Sequence, residues 1–85
     1  MFSVDITRAE VTSQGEIVEA ILDASVTPAI GMILIDEESR TWEITAMLHD
    51  AARAYEKEHK KLWTFQCSAV NADVSIHEGE YKLMH

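Results

Sequence analysis

Glu16-Ile17-Val18-Glu19-Ala20-Ile21-Leu22-Asp23-Ala24-Ser25-Val26 is the stretch whose reading decides the fold. Taken with period two, Val18, Ala20, Leu22, Ala24 and Val26 share one face. Glu19 and Asp23 then lie on the other with Ile17 and Ile21, as in a strand. Taken with the helical period, Ile17, Ala20, Ile21 and Ala24 form a stripe. Ser13-Gln14-Gly15-Glu16 would then be a capping box, although Gly15 in a first turn disfavours a helix. These residues alone leave both readings open. The first gives a mainly β protein, the second an α+β one with two helices on an antiparallel sheet.

Outward from this stretch the signals are plainer. Phe2, Val4 and Ile6 alternate with Ser3, Asp5 and Thr7, which predicts a half-buried strand that continues toward Val11. Thr12-Ser13-Gln14-Gly15 reads as a turn. Downstream, Thr27-Pro28-Ala29-Ile30-Gly31 is a connection, with Pro28 lacking an amide proton. Residues 32–36 and 41–47 predict two strands joined by the polar turn Glu37-Glu38-Ser39-Arg40, a β-hairpin with Trp42, Ile44 and Ala46 on one face. Residues 62–70 and 80–84 predict the closing strands. Trp63, Phe65, Cys67 and Ala69 share a face of the first, and Asn71-Ala72-Asp73 forms a turn after it.

Between these elements the period changes. Leu48, Ala51, Ala52, Tyr55 and His59 follow three-to-four spacing among good helix formers. Asp50 at one end and Lys60 and Lys61 at the other suit a helix dipole. The pattern predicts a helix over residues 48–61, with Leu48, Ala51, Ala52 and Tyr55 packed on the sheet. Arg53, Lys57, Lys60 and Lys61 would then line its solvent side as a candidate partner-binding stripe.

The order of strands and glycines resembles the second domain of translational GTPases, the elongation-factor Tu-type barrel, over most of the chain. The resemblance rests on Gly15 after the first strand, on Ala29-Ile30-Gly31-Met32-Ile33-Leu34, on Trp42-Glu43-Ile44, and on Ile76-His77-Glu78-Gly79-Glu80-Tyr81-Lys82-Leu83. It implies that residues 16–23 are a strand. The expected fold is therefore a small antiparallel six-stranded barrel with one helix inserted between strands four and five. Such a helix departs from the family pattern. GTP hydrolysis does not come with the resemblance, because Gly15, Gly31 and Gly79 are too far apart to form a phosphate-binding loop.

Eighty-five residues make one domain. The net charge of −8 argues against nucleic-acid binding, which needs cations to displace phosphate counterions, and suits a basic partner. The excess is uneven: residues 49–62 hold Arg53, Lys57, Lys60 and Lys61 against Asp50, Glu56 and Glu58. The N-terminal residues show no signal-peptide pattern, and no apolar run approaches the ~20 residues of a membrane span. A cytoplasmic protein is expected, with Cys67 as a small buried hydrophobe.

Catalytic candidates are sparse. His49 and His59 would stand roughly 15 Å apart along a helix and cannot share one metal. Glu56 and His59 would share a helix face, but supply only two ligands. Asp36, Glu37 and Glu38 fall in a turn where water is expected to keep their pKa values ordinary. The expectation is a non-enzymatic barrel that acts through protein–protein contacts, with no cofactor, as a monomer or a homodimer. The alternative is a small metal-dependent hydrolase using His49, His59 or His77 with nearby carboxylates.

Overall fold

The computed structural model describes residues 1–48 and 59–84 and the backbone of 53–55. Among the described residues seven strands follow one another: β1 (Phe2–Thr12), β2 (Gly15–Asp23), β3 (Ile33–Ile35), β4 (Thr41–Met47), β5 (Arg53–Tyr55), β6 (Lys60–Asn71) and β7 (Gly79–Met84). Six of them form a ring in the order β2-β1-β7-β3-β4-β6, closed by pairing of β6 with β2. Every pairing in the ring is antiparallel. An even number of strands lets an all-antiparallel sheet close on itself, which removes most exposed edges. No helix among the described residues is long and apolar enough to cross a membrane.

The deciding stretch is a strand. Residues 16–21 pair with β1 through Val11↔Glu16 to Asp5↔Ile21, and β2 pairs with β6 from Glu16↔Cys67 to Asp23↔Lys60. Val18, Ala20 and Leu22 point inward and are at most 1% exposed. A helix would have turned Ile17 and Ile21 to the core, yet both are only partly buried. The core is completed by Val4, Ile6, Val26, Leu34, Trp42, Ile44, Phe65, Cys67, Ile76, Tyr81 and Leu83. Trp42 and Tyr81 meet edge to face at 5.7 Å, which favours the ring quadrupoles.

The expected helix is not formed in any described part of residues 48–61. Leu48 donates its N–H to the Thr64 carbonyl at 3.2 Å, continuing the pairing of β4 with β6. Arg53, Ala54 and Tyr55 pair with Leu62, Lys61 and Lys60 as a short strand. His59 has a positive φ of 58°, a turn conformation between β5 and β6. Residues 49–52 and 56–58, including Lys57, lie outside the described residues. The physical reason is competition for the edge of β6: its N-terminal half has β2 on one side, and β5 satisfies the backbone groups on the other.

Two finer expectations also change. A bulge between Ile44 and Ala46 sets Ala46 against Gln66 and Met47 against Phe65, so Met47 replaces Ala46 beside the core. Ala69 is exposed although it lies opposite the buried Trp42, beside a register shift between Thr41 and Trp42. The other strands match expectation within one or two residues, and β1 extends to Thr12.

Candidate functional site

The strand alternation that buries Val4 and Ile6 turns Ser3 and Asp5 outward. Register then sets their neighbours. Asp5 lies opposite Glu80 on β7 and opposite Ile21 on β2. Asp23 lies opposite Lys60, and Ile35 opposite Lys82. These residues line an open groove of about 520 Å³, closed off by Asp36 and Glu37 after β3. Five carboxylates therefore face two ammonium groups, with Phe2, Ile21 and Ile35 as apolar patches between them.

The groove's cations offset its acids only in part: Lys60 lies opposite Asp23, and its charge helps to lower the Asp23 pKa. Lys82 Nζ donates to Ser3 Oγ at 2.9 Å. Among the described residues the ion pairs are those of Arg40, with Asp36 at 2.7 Å and Glu38 at 3.0 Å. Asp5 and Glu80, directly opposed on adjacent strands, are like charges in a position where they repel.

Two of the groove's carboxyls are held in the ionised form. Ser25 donates both its hydroxyl, at 2.6 Å, and its backbone N–H, at 2.9 Å, to Asp23 Oδ1, which lowers the Asp23 pKa. Asp36 is only 5% exposed, and burial pushes its pKa up. The Arg40 guanidinium and the backbone N–H groups of Arg40 and Glu38 outweigh that burial, so the net shift is downward. Asp36 thus departs from the ordinary value expected of a solvated turn. Its bonds also brace the turn at Ser39, which has a positive φ of 64°.

The candidate basic stripe is not assembled as a helix face. Lys60 and Lys61 are successive residues of one strand and belong to opposite faces of β6, although both are exposed. The backbone of Arg53 lies opposite Leu62. Among the stripe's described side chains, Lys60 joins the groove and Lys61 does not.

Two histidines, His59 and His77, fall among the described residues. His59 is exposed in its turn, and His49 is outside the described residues. His77 is tied to Tyr81: the Tyr81 hydroxyl accepts the His77 N–H at 3.2 Å, donates to the His77 carbonyl at 2.7 Å, and lies 2.7 Å from Nδ1. No group of three metal-ligating side chains occurs among the described residues. Cys67 is fully buried, and burial pushes its thiol up to about 12, so it is protonated and inert at neutral pH.

Comparison of the chain with protein-family models, curated proteins and solved structures finds no significant match.

Proposed function

We propose that the chain is a non-enzymatic protein-interaction module whose acidic groove receives a basic segment of a partner protein. The observation that carries this is the opposition of Asp5 and Glu80 in a groove of five carboxylates. Like charges opposite each other on adjacent strands oppose folding. A cationic guest relieves that repulsion, so binding recovers what folding gives up. Ile21, Ile35 and Phe2 add apolar contact for the guest's side-chain stems. The six-stranded closure also supports kinship with the translational-GTPase second domain, and that kinship belongs to the same proposal. The excess of five carboxylates over two lysines in the groove favours a protein guest over nucleic acid.

The test uses Glu80→Gln in parallel binding and unfolding experiments. The probe is a short peptide alternating lysine and leucine, with a glutamate–leucine peptide as control. The variant is expected to unfold at higher urea, gaining about 0.2–1 kcal/mol as the cross-strand repulsion disappears. It should also bind the lysine peptide less tightly than the parent. A parent protein that binds both peptides equally, or neither, overturns the proposal.

A further inference from the structure

Among the described residues the ring leaves several stretches of strand edge open, and one of them lies on β1. Pairing of β1 with β7 ends at Ile6↔Gly79, while pairing with β2 continues to Thr12↔Gly15. A bulge after Ile6 marks the change. From Arg8 to Thr12, β1 therefore has a ladder on one side only, and among the described residues no backbone hydrogen bond reaches it from the 72–78 connection. Arg8, Glu10 and Val11 are exposed. Such an edge is a template for another strand.

We propose that a second copy of this chain pairs with the edge, antiparallel, about a two-fold axis at Ala9. Charge selects both the occupant and the register. A two-fold axis normal to the sheet keeps the two barrels' outer faces aligned, so it must centre on a residue facing its own copy. Centred on Arg8 it opposes two guanidinium groups, and centred on Glu10 it opposes two carboxylates. Centred on Ala9 it places Arg8 opposite the partner's Glu10 and Glu10 opposite the partner's Arg8, with the small Ala9 side chains at the axis. That register also ends at Ile6, where β7 takes over the edge. The charges that would repel a misaligned strand are the ones that hold this one, and the groove at Asp5 and Glu80 stays open on the outer face.

The test is sedimentation equilibrium at low ionic strength over micromolar to millimolar concentration, on the parent, Arg8→Glu, Glu10→Arg and the double exchange. The parent is expected to associate to a dimer. Each single reversal turns two attractive pairs into repulsive ones and should weaken association roughly tenfold or more. The double exchange should restore it. Thermal melts of all four check that these exposed changes leave the barrel folded. A monomeric parent across the range, single reversals as dimeric as the parent, or a ladder of larger oligomers would each overturn the two-fold pairing. Binding of the lysine–leucine peptide should be the same in all four folded proteins, which separates this interface from the groove.

Discussion

Replacing Gly15 with alanine tests the β1–β2 turn on which ring closure depends. Gly15 has φ +136°, a region that side chains rarely adopt. A Cβ there would stand 2.9 Å from Gln66 Nε2. That nitrogen donates to the Gln14 carbonyl at 2.6 Å, so Gln66 must swing away and the bond is lost. Backbone strain costs about 1–3 kcal/mol, and the lost hydrogen bond about 0.5–1.5 kcal/mol. Gly79 is the control: its φ is +143°, but a Cβ there meets nothing within 4 Å. Gly79→Ala should show the strain alone. Urea unfolding of Gly15→Ala, Gln66→Ala and the double variant completes a thermodynamic cycle. Gln66→Ala should cost about 0.5–1.5 kcal/mol in the parent and close to nothing beside Ala at position 15. An equal cost in both backgrounds would refute the proposed collision between the Cβ and Gln66.

Other contacts make separate predictions. Glu16 Oε1 accepts the Ile76 N–H at 2.6 Å and holds the 72–78 connection over the core; Glu16→Ala should cost about 1.5–3 kcal/mol and speed hydrogen exchange at the Ile76 amide. Tyr81→Phe removes the hydroxyl that binds the His77 backbone from a nearly buried ring, and a urea titration should show a loss of about 1–3 kcal/mol. Because the Asp36 carboxyl is lowered in the fold, its contribution to stability is present above its unfolded pKa and is lost as pH falls through the folded value. Stability of the Asp36→Asn variant should therefore vary less with pH below about 4 than that of the parent. Cys67, with its thiol near 12, should resist alkylation in the native protein at pH 8 and react fully in denaturant.

Most of the barrel was legible because alternation survives wherever one face of a strand is buried. Val4 and Ile6, Trp42 and Ile44, and Phe65 and Cys67 each announced their strands. Residues 16–23 were ambiguous because Ile17 and Ile21 are apolar on the outer face, where both are partly buried. The expected helix failed for a different reason. Ala51, Ala52, Glu56 and Lys57 favour a helix locally, but a strand at Arg53–Tyr55 completes the ladder beside β6, a long-range demand that local spacing does not carry. The groove was illegible for the same reason. Asp5 and Glu80 are far apart in the chain and meet only through register, and the Asp36 side chain is largely shielded from water where Arg40 folds back onto it.

The most direct test of the central claim follows backbone amide chemical shifts while the lysine–leucine peptide is titrated into the labelled protein. Saturable shifts are expected at Asp5, Ile21, Asp23, Asp36 and Glu80, reduced by added salt as exposed charge attraction is screened. Shifts confined to β5 and the start of β6, or no saturable shifts, would contradict the assignment of the groove as the binding site.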